Sequence, residues 1–351
     1  MHKRSFLVLL ALVAVSLSAQ SNPAVEAGRA DIRAIMEAQK APGMSVAVLV
    51  DGKMVWSEGF GFADVEQNVA ASPTTRYRLG SVSKLFTAAI AARLAERGAL
   101  DLDAPVSKYA AFPHEVTSRQ LLGHLGGVRH YRDSDPIFAG KTYAALREGL
   151  AIFATEPLLA PPGTAYTYTS YGFNLLGVAI EGASRRTFAE ALTGEVSGPL
   201  ALKTLALDDP AAIVPGRAAF YDKRADGTVR NAAPNDSSYK WPSGGLLASA
   251  EDLVRFADAH VKPGYLSEAT LVQMFTPQKL ADGKPTNVGL AWRVNQSEDG
   301  TRYWHHGGTI TGGRAFLLVL PDERIAVALL ANLLVRYDEK DLLAIARRFA
   351  R

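Results

Sequence analysis

Apolar residues alternate with turn residues near both ends of the chain, in a way that predicts β-strands. Near the N-terminus, two β-prone runs at residues 45–50 and 53–57 are joined by Asp51-Gly52, a pair typical of a tight hairpin. Runs rich in valine, leucine, isoleucine and aromatic residues predict further strands at 289–294, 301–306, 314–320 and 324–330. We therefore expect both ends of the chain to supply strands to a sheet.

Between these ends, the apolar positions recur with helical spacing and are interrupted by proline and glycine. The predicted helices span residues 87–97, 118–125, 143–154, 171–181 and 187–196, and two more follow at 250–260 and 341–351. Strands at both ends of a helical middle are typical of the α+β class. We predict an antiparallel sheet flanked by helices and formed from the N- and C-terminal segments. Residues 24–79 and 240–351 would form this sheet domain, and residues 80–239 an inserted, mostly helical domain.

The first twenty residues follow a different pattern. A basic start that includes Lys3 and Arg4 is followed by an apolar run at residues 6–15 and by small residues at 16–19. This order is that of a secretory signal peptide, and the apolar run is shorter than the roughly 20 residues that span a membrane. The alternative is a buried N-terminal helix. We expect a signal peptide at residues 1–20, a periplasmic or secreted protein, and no transmembrane anchor in the mature chain.

Composition narrows the class of function. The 351 residues are 48% hydrophobic and 21% charged, as is ordinary for a globular protein, and the formal net charge is +3. Without Lys3 and Arg4 that charge falls by two, to +1, and no basic run remains. A nucleic-acid partner is therefore not expected. The absence of cysteine excludes a thiol hydrolase and a cysteine-ligated zinc site.

A Ser-x-x-Lys motif, Ser81 to Lys84, opens the predicted helix at 87–97. Residues three apart lie on one face of a helix, so a lysine with a lowered pKa can accept the proton of the serine. The alternative is an ordinary polar helix start with a solvated lysine. A second copy, Ser237 to Lys240, lies in a predicted polar loop with no helix behind it. The helical context therefore favours Ser81 as the nucleophile.

Two further segments carry groups that suit such a nucleophile. Tyr168-Thr169-Ser170 stands at the start of a predicted helix, and a tyrosine hydroxyl beside a lysine can act as a base. Its alternative role is that of a packed aromatic residue. His305 and His306 precede Gly307-Gly308 in a predicted strand and should point to opposite faces of it, so they are poor joint metal ligands. Glycines there allow a ligand to approach the backbone.

Together these segments resemble the serine β-lactamase and penicillin-binding protein superfamily, and within it the class C β-lactamase-related hydrolases. The order is Ser-x-x-Lys, then Tyr-x-Asn/Ser, then Lys/His-x-Gly. Flanking segments extend the resemblance, among them RYRLGSVSKLFTA, PPGTAYTYTSYGFNLLG, PSGGLLASAEDLVRF and HHGGTITGGRAFLLVLPDE. The segment RQLLGHLGGVRHY is also similar to the mitochondrial serine β-lactamase-like protein of animals.

The resemblance implies a role for each matching position. Ser81 would form an acyl-enzyme, Lys84 would take its proton, and Tyr168 would assist in acylation and deacylation. The backbone N–H groups of Ser81 and Thr309 would form the oxyanion hole. His306, with Gly308 beside it, would orient the substrate, and Ser170 would be a lesser substrate contact. His124 would have a structural role. For Arg129 and His130, a place in the cleft and a packing or surface role are equally expected. No metal or cofactor is implied.

Two departures from the family pattern bear on the substrate. Class C β-lactamases usually carry lysine where this chain has His306 and asparagine where it has Ser170, and neutral histidine lacks the fixed cation of lysine. The expected substrate is therefore a small molecule or peptide with an ester or amide bond, in an esterase, a D-amino-acid-directed peptidase or a weak β-lactamase. The alternatives are a non-catalytic or penicillin-binding module that recognises peptidoglycan peptides, and an assembly-forming scaffold.

Overall fold

A seven-stranded antiparallel sheet built from both ends of the chain forms the centre of the protein. The computed structural model describes residues 22–136 and 141–350. The strands are β1 Gly43–Val50, β2 Lys53–Asp64, β3 Val69–Ala70, β4 Tyr77–Arg78, β5 Ala206–Leu207, β6 Tyr221–Lys223, β7 Val229–Asn231, β8 Leu246–Ala248, β9 Arg293–Gln296, β10 Arg302–Ile310, β11 Gly313–Leu320 and β12 Ile325–Ala331. The order across the sheet is β3-β2-β1-β12-β11-β10-β9, so the two chain ends meet where β1 pairs with β12.

Helices cover both faces of this sheet. They are α1 Pro23–Gln39, α2 Ser83–Glu96, α3 Ser118–Leu122, α4 Tyr171–Ser184, α5 Phe188–Leu192, α6 Trp241–Gly244, α7 Ala250–Asp258, α8 Glu268–Phe275 and α9 Glu339–Arg347. Alternate residues of β1 enter different cores: Val46 and Val48 pack towards α1 and α9, whereas Ala47 and Leu49 join the larger core around α2, α4 and α7. This alternation is the two-residue period of a strand that is buried on both sides. The predicted α+β fold with an antiparallel, helix-flanked sheet is confirmed.

Several predicted elements differ in extent from the observed ones. The predicted helix at 143–154 is a 3₁₀ segment, Leu146–Ile152, and the one at 187–196 is α5 followed by a π-helical turn at Thr193–Ser197. The strand predicted at 289–294 begins only at Arg293, because the backbone of Gly289 packs against the Met274 carbonyl at the end of α8. Helices α1 and α8 were not predicted.

The proposed division of the chain at residue 80 stays a prediction. Leu79 and Leu253 from the sheet segments and Phe86 and Phe173 from the middle segment belong to one hydrophobic core. The predicted signal peptide lies outside the described residues. Within the described part of the chain, no helix is both long and apolar enough to cross a membrane.

A small second sheet, in the order β4-β8-β5, connects the segment before α2 with the segment after α6. The backbone N–H of Leu79 donates to the Leu246 carbonyl at 2.9 Å, and the Leu246 N–H donates to the Ser83 hydroxyl at 3.2 Å. These bonds hold the start of α2 against the segment that follows α6. The turn that carries Ser81 and the turn that carries Ser243 are therefore neighbours.

Candidate active site

Ser81 lies in a 3₁₀ turn, Gly80–Val82, that leads directly into α2. Strand β10 crosses this turn at very close range. A Cβ atom on Gly308 would lie 1.9 Å from the Leu79 carbonyl oxygen, so only glycine fits there. The close approach of two backbones, rather than any side chain, fixes Ser81 beside the end of β10.

The same contact brings together the two backbone N–H groups that the resemblance assigns to an oxyanion hole. A Cβ on Gly80 would lie 2.8 Å from the Thr309 nitrogen, and one on Gly308 would lie 3.0 Å from the Ser81 nitrogen. Gly80 has a φ of +50°, a left-handed conformation that glycine adopts at little cost. The nitrogens of Ser81 and Thr309 therefore border the same small space.

Lys84 is fully buried one helical turn after Ser81. Its Nζ lies 3.1 Å from the Ser81 Oγ, 3.0 Å from the Ser170 Oγ and 2.8 Å from the Ser243 carbonyl oxygen. No carboxylate of the described residues lies within 4 Å of it to form an ion pair. Burial without a counter-charge lowers the pKa of Lys84 well below its ordinary value.

The three contacts of Lys84 are compatible with a neutral amine that accepts a proton from serine. The Ser243 carbonyl can only accept, so it takes one N–H of Lys84, and the Ser170 hydroxyl can take a second. The lone pair of the neutral amine is then left for the Ser81 O–H. This arrangement is the one that general-base activation of a serine requires.

Tyr168 lies beside this pair, and its ring centroid is 5.1 Å from the Lys84 Nζ. Burial raises the pKa of Tyr168 above its ordinary value, and the nearby Ser81 side chain opposes that rise. The role of Tyr168 as a base beside the lysine stays a prediction. Tyr168 keeps its proton near neutral pH and can pass it on rather than act as a standing anion.

Two histidines from the segment after α3 hold the backbone around Tyr168. The Thr169 N–H donates to His124 Nδ1 at 3.2 Å, and the Ser170 N–H donates to His130 Nδ1 at 3.1 Å. Both rings accept through Nδ1, so both are neutral with the proton on Nε2. Burial lowers the pKa of His130 to about 4. His124 has the structural place that was expected of it.

Arg129 and His130 lie on different sides of this segment. Arg129 is buried in a two-hydrogen-bond ion pair with Asp135 at 2.9 Å, and the Tyr171 hydroxyl also donates to Asp135. His130 instead lines the cleft with Ser81 and Tyr168. Of the two roles that the sequence left open for these residues, Arg129 therefore has the packing role and His130 the place in the cleft.

His305 and His306 both line the larger part of the cleft, but their contacts differ. Burial lowers the pKa of the His306 imidazole well below its ordinary value, and His306 is the one of the two rings that lies near Lys84. The His305 ring stacks on Phe316 and its Nε2 meets the Asn295 amide at 3.2 Å. His306 is therefore the histidine beside the predicted catalytic residues, and its lowered pKa leaves it uncharged at neutral pH.

The cleft has two parts that meet at Ser81 and Thr309. The larger, of about 410 Å³, is lined by Tyr168, His130, His306 and Arg293, with four further lining residues. The smaller, of about 160 Å³, is lined by Ser170, Ser243, Asn235, Tyr239 and Lys240, among others. Lys240 is the last residue of the second Ser-x-x-Lys copy, which the sequence did not favour because no helix is predicted directly after it. That motif was the one feature of the sequence that pointed to Lys240.

Across residues 22–136 and 141–350, no three histidine, aspartate or glutamate side chains gather as a metal site would require. The chemistry considered below uses only the side chains and backbone groups described above.

Comparison with known proteins gives consistent matches over most of the chain. The family model described as Beta-lactamase matches residues 29–350. The human mitochondrial serine beta-lactamase-like protein LACTB is 30% identical, over 86% of this chain and 72% of its own length. A class C beta-lactamase superposes with a TM-score of 0.77 at 20% identity, covering 93% of this chain and 95% of its own. A D-stereospecific amidohydrolase from Streptomyces superposes with a TM-score of 0.76 at 23% identity, covering 90% and 98%.

Proposed function

The chain belongs to the beta-lactamase family of serine hydrolases, and on that premise we propose that it is an exported hydrolase that forms an acyl-enzyme on Ser81. The observation that carries the proposal is the Lys84 amine, which is buried, has no carboxylate within ion-pair distance among the described residues, and lies 3.1 Å from the Ser81 Oγ. A lysine that served stability alone would have no need of this placement, because burying it lowers its pKa and costs free energy.

In the proposed acylation, the Ser81 Oγ attacks the carbonyl carbon of an ester or amide while its proton moves to the Lys84 Nζ. The negative charge that develops on the carbonyl oxygen is stabilised by the N–H groups of Ser81 and Thr309, and such donors contribute about 3 kcal/mol each. The bond to the leaving group then breaks. The leaving alkoxide or amine takes a proton from Tyr168, which regains one from the Lys84 ammonium.

In the proposed deacylation, water attacks the acyl carbon and the same groups act in reverse. The water gives a proton to Lys84 directly or through Tyr168, and the Ser81 oxygen leaves and takes that proton back. Lys84 and Tyr168 end in their starting protonation states. The cycle therefore needs no cofactor and consumes only one water.

The expected substrate is an ester or amide other than a typical β-lactam. His306 stands where class C β-lactamases usually have lysine, and burial lowers its pKa and keeps it neutral. This chain therefore lacks the fixed positive charge that class C β-lactamases usually have at this position. We propose esterase or D-amino-acid-directed amidase activity, with β-lactam hydrolysis weak. Export rests on the signal-like residues 1–20.

The nucleophile is tested by covalent labelling. A fluorophosphonate probe followed by peptide mapping should label Ser81, and Ser81→Ala should abolish the label. Ser81→Ala and Lys84→Ala should each lower p-nitrophenyl ester hydrolysis by at least about 10²-fold, with melting temperatures that show folded protein. Labelling at another serine, or near-wild-type turnover in either variant, would refute the mechanism. Acylation by penicillin without turnover would support the penicillin-binding alternative instead.

A further inference from the structure

Lys240 is a second lysine in the cleft, and the mechanism above does not use it. Its side chain is 9% exposed and lines the smaller cavity together with Ser81 and Thr309. Among residues 22–136 and 141–350, its Nζ has one hydrogen-bond partner, the Asn235 Oδ1 at 3.3 Å. An ammonium has three N–H donors, so two remain for whatever occupies the cavity.

Charged groups near Lys240 do not neutralise it. Among the described residues, no carboxylate lies within 4 Å of its Nζ. Asp208 is paired with Arg78 at 2.7 Å, and Asp236 accepts from the hydroxyls of Thr142 and Ser238 at 2.6 and 2.5 Å. Burial, aided by the nearby Arg78, lowers the pKa of Lys240 to about 8. A nine-tenths buried cation with no counter-ion is costly, and an anionic ligand would offset that cost.

We propose that Lys240 binds a carboxylate of the substrate, so that the preferred substrates are esters or amides that carry a single negative charge close to the scissile carbonyl. The proposal rests on the proposed function, because it places that carbonyl at Ser81. Lys240 would thus supply, from a different segment of the chain, the cation that His306 does not provide.

The size and charge of the cavity favour a short monoanion. The cavity of about 160 Å³ is small beside the larger part of the cleft, of about 410 Å³, which suits a carboxylate on a short carbon chain. The cavity wall contributes one ammonium, the Asn235 amide and the Ser170 and Thr311 residues, so it matches one negative charge. An anion beside a largely buried ammonium interacts with it more strongly than it would in water.

The carboxylate can belong to the acyl part or to the leaving group, and matched substrates separate the two. The acyl pair is mono-p-nitrophenyl glutarate against p-nitrophenyl butyrate. The leaving-group pair is the 3-carboxyphenyl ester of phenylacetic acid against its phenyl ester. The measured quantity is the charged-to-neutral ratio of kcat/KM for each pair, because a ratio cancels losses that affect both esters.

We expect the wild-type ratio to exceed about 10 for one of the two pairs. Lys240→Gln should lower that ratio by about tenfold or more, and Lys240→Arg should restore most of it. Lys53→Gln is the matched control, because it removes one exposed positive charge at the far end of the sheet and should keep the ratio.

Three results would overturn the proposal: no preference for either charged ester, a ratio in Lys240→Gln within twofold of wild type, or an equal fall in Lys53→Gln. The neutral esters keep this test separate from that of the proposed function. If Ser81→Ala still hydrolyses p-nitrophenyl butyrate, the nucleophile is wrong. If that variant is inactive and the ratios do not depend on Lys240, only the carboxylate site is wrong.

Discussion

The chain contains two copies of Ser-x-x-Lys that end in the same cleft with different contacts. In the first, the Lys84 Nζ contacts the Ser81 Oγ directly at 3.1 Å. In the second, Ser237 and Lys240 do not contact each other through their side chains. Each instead binds the Asn235 amide, Ser237 through its Oγ at 2.9 Å and Lys240 through its Nζ at 3.3 Å.

The difference follows from the backbone rather than from the spacing. Ser81 and Lys84 lie on consecutive turns where a 3₁₀ segment passes into α2, so their side chains share one face. In the second copy the Lys240 N–H bonds the Ser237 carbonyl, which closes a turn and directs the two side chains to Asn235. Identical spacing therefore produces a direct serine–lysine contact in one place and, in the other, a lysine whose side chain does not contact its serine.

The largest expected effect compares the two lysines with one substitution. Lys84→Gln should slow labelling of Ser81 by a neutral fluorophosphonate by at least about 10²-fold, because the amide cannot take the serine proton. Lys240→Gln should slow it by less than about tenfold, because this lysine lies apart from the proton path. Rates of label incorporation, followed by intact-protein mass spectrometry, measure both.

Equal losses in Lys84→Gln and Lys240→Gln would contradict the division of roles between the two lysines. Circular dichroism of both variants checks that each is folded. If Lys240→Gln were the slower variant, the second copy would hold the base, and the contact between Lys84 and Ser81 would be incidental.

Much of the fold could be predicted from the sequence, because its signals are local. The Asp51-Gly52 hairpin and the apolar runs that became β11 and β12 lie where their patterns indicated. Helix α1 was missed although Asn22 caps it and Pro23 begins it, because most of its apolar residues are alanines, which mark a buried face only weakly. The extension of β10 to Ile310 was missed because glycines usually weaken a strand.

The site was less predictable, because its parts meet only through tertiary contacts. Ser81, Lys84 and Tyr168 could be proposed from the sequence because each stands in a motif with a chemical reason, and the structure places them close together. His130 was left open because nothing local shows that its ring accepts the Ser170 N–H. Lys240 was set aside because the pairing of β4 with β8, which brings its segment to Ser81, leaves no mark in the sequence.

The next effect concerns the backbone contact that positions the first copy. In Gly308→Ala the new Cβ would lie 1.9 Å from the Leu79 carbonyl oxygen, so β10 and the Ser81 turn must separate. We expect a loss of about 2–3 kcal/mol in unfolding free energy. We also expect at least about tenfold slower ester hydrolysis, because the nitrogens of Ser81 and Thr309 move apart.

Gly244→Ala is the matched control for stability. Its Cβ would lie 3.7 Å from the Gly80 carbonyl carbon, an ordinary contact, although Gly244 borders the same turn. Urea denaturation should show a much smaller loss for this variant. A comparable loss in both would mean that any added atom near Gly80 disturbs the fold, and that β10 has no special part in placing Ser81.

The smallest effect measures the charge state of Lys84 through stability. Burial lowers the pKa of Lys84, so between its folded and unfolded pKa values the unfolded chain binds one more proton than the folded chain. Stability therefore rises with pH in that range, by about 1.4 kcal/mol per pH unit. Lys84→Met removes this contribution. As the pH rises from about 8.5 to about 9.5, the unfolding free energy of the wild type should therefore increase by about 1.4 kcal/mol more than that of Lys84→Met.

Lys53→Met is the control, because it alters an exposed lysine and should show no such difference from the wild type. Parallel curves for the wild type and Lys84→Met would mean that Lys84 stays charged when folded, and a charged Lys84 cannot be the base that activates Ser81.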